Sequence, residues 1–100
     1  MLDKNKKILI VGLGLLGGSF AQGLSSCGYE VGAIDLNQES IDYAIEHNII
    51  KHGRVNVLKE YVNCFDIVIF ALYPHILVEW LKKYQSYIKE GATVTDVTGI

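Results

Sequence analysis

Short, continuously apolar runs alternate along this chain with segments in which apolar residues recur every three or four positions. The run Lys7–Val11 is rich in β-branched residues and bounded by charge and glycine, which is typical of a strand covered on both faces. From Gly14 the period lengthens to that of a helix, which we predict to end near Cys27 with Gly28 just past its end. The predicted apolar face of this helix consists of Leu16, Gly17, Phe20, Ala21 and Leu24.

The same alternation continues to the end of the sequence. Glu30–Ile34 predicts a second strand, and Asn37 is a capping residue for a helix that buries Ile41, Ala44 and Ile45. The remaining predicted elements are a weaker strand within Ile49–Val55, a helical turn or two within Val57–Cys64, a buried strand at Asp66–Ala71, a helix that begins at Pro74 and is stopped by Gly91, and a strand at Thr93–Asp96. The helix after Pro74 carries an apolar stripe made of Leu77, Trp80, Leu81 and Tyr84.

Alternating strands and helices of these lengths predict the fold class. Adjacent parallel strands cannot be joined by a hairpin, so the connecting helices form right-handed crossovers. We therefore expect an α/β fold with a doubly wound parallel sheet, of the Rossmann type. A complete version has about six strands, so residues 1–100 are predicted to be one truncated dinucleotide-binding domain.

Composition narrows the class of protein. Half of the residues are hydrophobic, 20% are charged and the net charge is −2, as in ordinary globular proteins. The one basic cluster, at residues 4–7, is preceded by Asp3 and lacks interleaved aromatics, so nucleic-acid binding is not supported. No apolar run approaches the ~20 residues of a membrane span, and no signal peptide is recognisable, which predicts a cytoplasmic protein. Cys27 and Cys64 lack metal-ligand spacing, so we expect buried or half-buried free thiols and no metal site.

The segment Gly12-Leu13-Gly14-Leu15-Leu16-Gly17 carries the principal functional signal, because it directly follows a predicted strand and opens a predicted helix. Gly12 permits the tight turn, Gly14 lets a pyrophosphate approach the backbone, and Gly17 lets helix and sheet pack closely. Backbone amides of the first helical turn, at Leu15 and Leu16, would then face the phosphates. The motif alone is a weak signal, and its setting strengthens it.

Asp35 supplies that setting, since it stands at the end of the second strand, 18 residues beyond Gly17. A carboxylate there can accept hydrogen bonds from both adenosine ribose hydroxyls and repels the 2′-phosphate of NADP. No arginine follows Asp35 closely in sequence. The pattern thus predicts NAD as the cofactor, with a helix-capping or loop carboxylate as the alternative role for Asp35.

Residues at the ends of the last two strands complete the predicted site. Leu72, Tyr73 and Pro74 follow the fourth strand, where their backbone could line the ribose and nicotinamide side, although a loop aromatic is an equal alternative for Tyr73. His75 is interpreted as a solvated residue rather than a general base. Thr98 follows the last strand near the expected substrate position. No catalytic set is otherwise evident, so the chemistry is expected to come from the cofactor.

Taken together, these residues resemble the prephenate and arogenate dehydrogenases of tyrosine biosynthesis. The similar segments are Val11–Leu24, Ala33–Ile50, Asp66–Pro74 and Gly91–Ile100, which cover nearly the whole chain. GLGLLGGS and the terminal VTDV are the more specific parts of the resemblance. It implies oxidative decarboxylation of prephenate to 4-hydroxyphenylpyruvate with NAD as hydride acceptor, and it implies Gly12, Gly14, Gly17 and Asp35 as cofactor residues.

The resemblance also implies a second, helical domain beyond Ile100 that carries the catalytic histidine, the substrate-binding arginines and the contacts of a homodimer. The fragment alone is then expected to be inactive. After VTDV the family commonly has Gly-Ser, whereas this chain has Thr98-Gly99, which leaves the Thr98 hydroxyl as a substitute.

Two other interpretations remain open. The chain could be the cofactor domain of another β-hydroxyacid-type dehydrogenase or of an imine reductase. It could also be a non-enzymatic nucleotide-sensing module, such as those that gate potassium transport. Such modules usually carry Gly-Asp after the third strand, and here Gly53 is followed by Arg54.

Overall fold

Five parallel strands form one sheet with helices on its two faces in the computed structural model, which describes residues 4–97. The strands are β1 (Lys7–Val11), β2 (Glu30–Ile34), β3 (His52–Arg54), β4 (Ile67–Phe70) and β5 (Thr93–Asp96). The helices are α1 (Leu15–Ser26), α2 (Gln38–Glu46), α3 (Lys59–Val62) and α4 (Pro74–Tyr84), and a 3₁₀ turn lies at Gln85–Tyr87. The predicted α/β fold with a doubly wound parallel sheet is confirmed.

The order of the strands across the sheet is β3-β2-β1-β4-β5, and every pair is parallel. The chain moves outward from β1 to β2 and β3, then returns to place β4 on the other side of β1. The loops after β1 and β4 therefore diverge at the carboxyl edge. In open sheets a crevice between two such loops is the usual ligand position.

Alternation along the central strands separates the core into two layers. On one face α1 and α2 pack against Ile8, Ile10, Val31, Ala33, Ile67 and Ile69. On the other face α3 and α4 pack against Leu9, Val11, Ile34, Val68 and Phe70. Strands buried on both sides have continuous apolar sequences because neither face is free to carry polar residues, which is why β1 and β4 were identifiable from sequence.

Local capping signals position the helices as predicted. The Asn37 side chain accepts hydrogen bonds from the backbone N–H groups of Glu39 and Ser40 and so caps α2. Gly28 follows α1 with φ of +95°, a value that favours glycine. Pro74 lies in the first turn of α4, where its missing N–H costs no helical hydrogen bond.

Part of the predicted helical face is wrong. In α1 Gly17 and Ala21 are buried, but Leu16 is 42% exposed and Phe20 is 40% exposed. Each of these two side chains precedes a buried position by one residue, which places it about 100° around the helix from the sheet contact. In α2 Ile45 is likewise 40% exposed, because it follows the buried Ala44.

Two further expectations need correction. Cys27 and Cys64 are exposed rather than buried or half-buried, because each lies in a turn that ends a helix. Helix α4 ends at Tyr84, well before Gly91. The weaker strand predicted within residues 49–55 is present as the short strand β3. Among the described residues no helix is long and apolar enough to cross a membrane, and no group of three metal-ligating side chains is present.

Candidate dinucleotide-binding site

The turn from β1 into α1 forms the floor of the candidate site. Gly12 has φ of +101°, and its N–H donates to the carbonyl of Ile34 at 2.8 Å. A Cβ atom at Gly12 would lie 2.6 Å from the carbonyl oxygen of Ala71 at the end of β4. Glycine is required here both by the backbone angle and by the neighbouring strand.

Gly17 is required for a different reason. A Cβ atom there would stand 1.9 Å from the carbonyl oxygen of Gly12 and 3.0 Å from the side chain of Ala71. The first turn of α1 thus lies directly on the backbone of the turn that precedes it. Any side chain at Gly17 would lift the start of the helix away from the sheet.

Gly14 contrasts with both of them, because a Cβ atom there would meet nothing within 4 Å. This residue is the N-cap of α1, it supplies no side-chain hydrogen bond, and the first helical turn contains no acidic residue. The first N–H groups of a helix have no intrahelical acceptor, and the helix dipole favours an anion beside them. The open space at Gly14 and the uncapped amides beyond it fit a diphosphate.

Asp35 is held against this same turn by two backbone amides. Its Oδ2 atom accepts a hydrogen bond from the N–H of Leu13 at 2.7 Å, and its Oδ1 atom accepts one from the N–H of Asn37 at 2.8 Å. Within residues 4–97 the carboxylate has no ion-pair partner. Because an ionised carboxylate offers about four acceptor positions, each oxygen keeps a position for a further donor. The sugar hydroxyls of a nucleotide are donors of the right kind.

One cleft collects all of the predicted cofactor residues that the structure describes. Its volume is about 490 Å³, and its lining includes Gly12, Gly14, Leu15, Leu16, Gly17, Asp35, Leu72 and Tyr73. The Tyr73 side chain is 75% exposed at the mouth of the cleft, and its ring lies 6.5 Å from that of the exposed His75. Thr98 lies outside the described residues.

Two residues that line this cleft were not predicted. They are Ala71 and Ile76, which border it together with the predicted Pro74. A second, mostly apolar pocket of about 330 Å³ adjoins it on the α4 face, and it lies between Leu36 and Trp80. Leu36 is 92% exposed. The sequence signal for this apolar wall was the apolar residue Leu36, which comes directly after Asp35 at the end of β2.

A polar cluster at the outer strand lies apart from the glycine turn. The Tyr61 hydroxyl is 2.7 Å from Nδ1 of His52, and Nε2 of His52 is 3.3 Å from a carboxylate oxygen of Glu30. Burial raises the pKa of Tyr61 to about 12, so its ring stays neutral at ordinary pH. A Cβ atom at Gly32 would lie 2.5 Å from the same hydroxyl. The cluster joins β2, β3 and α3 through contacts among its own members.

Comparison with known proteins agrees with this geometry. Residues 7–99 match the family described as NADP oxidoreductase, coenzyme F420-dependent. The chain is 32% identical over 92 residues to a prephenate dehydrogenase from Lactococcus lactis, a match that covers 91% of this chain and 26% of that protein. A crystal structure of prephenate dehydrogenase from A. aeolicus, in complex with hydroxyphenyl propionate and NAD+, superposes with a TM-score of 0.77 at 36% identity. That superposition covers 91% of this chain and 32% of the other chain.

A relative of another kind is the Ktr system potassium uptake protein A from Bacillus subtilis. It is 35% identical over an alignment of 78 positions, and the match covers 73% of this chain and 35% of that protein. The chain thus spans about a quarter to a third of the length of these three relatives. The resemblance to prephenate and arogenate dehydrogenases is confirmed at the level of this domain. The chain is a Rossmann-type domain, and it belongs to the family described as NADP oxidoreductase, coenzyme F420-dependent.

Proposed function

We propose that this chain is the NAD-binding domain of a prephenate dehydrogenase. The observation that carries the proposal is the Asp35 carboxylate, which two amides hold beside an open glycine turn while it keeps acceptor positions for a ribose. The matches to prephenate dehydrogenases, one of them determined with NAD+, support the choice of cofactor and reaction. NAD would supply the hydride acceptor for the oxidative decarboxylation of prephenate to 4-hydroxyphenylpyruvate.

Each part of the cleft has a proposed task. The amides at the start of α1, including those of Leu15 and Leu16, bind the diphosphate, and the bare backbone at Gly14 allows its close approach. Asp35 accepts hydrogen bonds from the adenosine ribose and disfavours a 2′-phosphate by charge repulsion. The loop at Leu72 and Tyr73 borders the nicotinamide side of the cleft.

The remainder of the enzyme is part of the proposal. We infer a following helical domain that supplies the proton-handling histidine, the arginines for the substrate carboxylates and the contacts of a homodimer, in a cytoplasmic protein of tyrosine biosynthesis. Either prephenate or arogenate would be the substrate, and Thr98 is a candidate for its loop. The 100-residue chain alone should bind NAD without turning over prephenate, because it lacks those groups.

The match to the potassium uptake protein favours a second candidate, a nucleotide-sensing module without catalytic activity. The two functions differ in the fate of the bound nucleotide. A full-length dehydrogenase forms NADH when prephenate or arogenate is added, whereas a sensing module binds the nucleotide and leaves it unreduced. Recording NADH absorbance with each acid separates the two, and no NADH with either acid contradicts the dehydrogenase.

Calorimetry with NAD and NADP tests the cofactor assignment. We expect the wild-type chain to bind NAD more tightly than NADP. Asp35→Asn should weaken NAD binding about tenfold through the loss of charge-assisted hydrogen bonds. It should also reduce the ratio of NAD affinity to NADP affinity. Asp42→Asn is the matched control, since Asp42 lies on α2 and its carboxylate contacts the Gln38 amide. Equal affinities for the two nucleotides in the wild-type chain would contradict the role given to Asp35.

A further inference from the structure

Strand pairing places Arg54 beside Asp35, although the two residues are 19 positions apart in the sequence. Arg54 is the last residue of β3 and lies opposite Ile34 in the parallel register. Its carbonyl oxygen accepts a hydrogen bond from the N–H of Asp35 at 3.2 Å. The two charged residues therefore occupy neighbouring positions at the carboxyl edge of adjacent strands.

The Arg54 guanidinium is held in place by an aromatic support. Its central carbon lies 4.8 Å from the centre of the Tyr61 ring, and Nη1 donates a hydrogen bond to the carbonyl of Gly53 at 2.8 Å. Tyr61 is itself fixed by His52 at its hydroxyl and by the Phe65 ring, whose centroid lies 5.1 Å away. An arginine stacked in this way loses little further side-chain freedom when it binds an anion.

The charge of Arg54 is not neutralised by an acidic residue in the described part of the chain. The ion pairs there involve Lys51, His52 and Lys89, and none includes Arg54 or Asp35. A guanidinium offers five N–H donors in a planar fork, and the contact with Gly53 uses one of them. An exposed, oriented cation with spare donors is thus carried by the residue whose backbone pairs with that of Asp35.

We propose that Arg54 is a specificity-determining residue that receives the 2′-phosphate of NADP, an inference that rests on the proposed nucleotide site. The 2′ position belongs to the ribose that Asp35 would bind, and β3 is the strand next to β2 on the outer side. A planar guanidinium can bind a phosphate through two parallel hydrogen bonds. Asp35 makes NAD bind more tightly than NADP, because its negative charge repels the 2′-phosphate. Arg54 offsets part of that repulsion and so keeps the difference between the two affinities small.

The test compares NAD and NADP binding to the full chain by calorimetry in wild type, Arg54→Gln, Arg54→Lys and Lys59→Gln. Lys59 is an exposed cation on α3, so its variant removes the same charge away from the sheet edge. Arg54→Gln should weaken NADP binding about fivefold or more and change NAD binding by less than about twofold. Arg54→Lys should fall between Arg54→Gln and wild type, and Lys59→Gln should match wild type. NADP binding should also weaken more steeply with salt in the wild type than in Arg54→Gln.

Each result of this test supports or overturns the role of Arg54 in NADP binding. An unchanged NAD-to-NADP ratio in Arg54→Gln, or an equal loss for both nucleotides, would overturn the role of Arg54 and leave the NAD site intact. A similar effect of Lys59→Gln would show that general surface charge governs NADP affinity, which also overturns it. If the folded wild-type chain bound neither nucleotide, the proposed function and this inference would both fail.

Discussion

Two aspartates stand at opposite edges of the sheet, and their carboxylates are partnered differently. Asp66 precedes β4 at the amino edge, where it accepts hydrogen bonds from the N–H of Lys7 at 2.9 Å and from the ammonium of Lys89. The Lys89 ammonium, together with the Lys7 amide, lowers the pKa of Asp66. Asp35 at the carboxyl edge is held by amides alone, with no ion pair in the described residues.

The difference supports the proposal that the nucleotide binds at the carboxyl edge. At the amino edge the carboxylate is neutralised by the protein itself, so its role is to join β1, β4 and the segment around Lys89. At the carboxyl edge the carboxylate is oriented but not neutralised, and open backbone lies beside it at Gly14. An oriented carboxylate that borders a cleft and keeps acceptor positions is the kind of polar group that fixes a bound ligand.

The largest effect is expected where the carboxyl edge is most tightly packed. Gly17→Ala should lower the free energy of unfolding by about 3 kcal/mol or more, because its Cβ atom would overlap the Gly12 carbonyl. Gly23→Ala is the matched control in the same helix, since a Cβ atom there meets nothing within 4 Å. It should stabilise the chain by about 0.5–1 kcal/mol through helix propensity. Urea unfolding measures the free energy of unfolding of both variants. Similar values for the two would contradict the close contact between Gly17 and the Gly12 carbonyl.

A smaller effect, on binding rather than folding, is expected at Gly14. Gly14→Ala should lower the free energy of unfolding by only about 1 kcal/mol, because the φ of −63° and the open space suit alanine although alanine is a poorer N-cap than glycine. NAD affinity should fall about tenfold, because the added methyl group occupies the approach of the diphosphate. Calorimetry alongside urea unfolding measures both quantities. An unchanged NAD affinity in Gly14→Ala would contradict the placement of the diphosphate at this turn.

The smallest effect is expected at the amino edge. Asp66→Asn should lower the free energy of unfolding near neutral pH by about 1 kcal/mol or less, as for a partly exposed ion pair. Because the pKa of Asp66 is lowered in the folded state, its contribution is present above its ordinary value of 3.8 and is lost as the pH falls through the folded-state pKa. The stability difference between variant and wild type should therefore disappear in acid.

Urea unfolding from pH 7 down to pH 2 would track that difference. Lys89→Gln should cause a similar loss at neutral pH, since it removes the other half of the pair. NAD affinity should be the same in Asp66→Asn and in wild type. A change in affinity would contradict the division of the two edges into a structural edge and a ligand-binding edge.

Much of the fold and part of the site could be predicted from the sequence, because they depend on local chemistry. Continuous apolar runs identified β1 and β4, and Asn37 and Pro74 marked the starts of α2 and α4. The spacing of the glycines and of Asp35 was sufficient to place them at one cleft. Periodicity was less reliable for helical faces, as Leu16 shows, because it does not fix the angle at which a helix meets the sheet.

Only the tertiary structure showed which further residues, distant in sequence, come to the glycine turn and to Asp35. The parallel pairing of β2 with β3 brings Arg54 to Asp35, and the pairing of β1 with β4 brings Ala71 to Gly12. The sequence by itself determined the strands, the helices and the bare turn, since those depend on patterns within a few residues. The neighbours across the sheet depend on strand order and on the register between strands, which is fixed only when the apolar faces of several strands are buried together in one core.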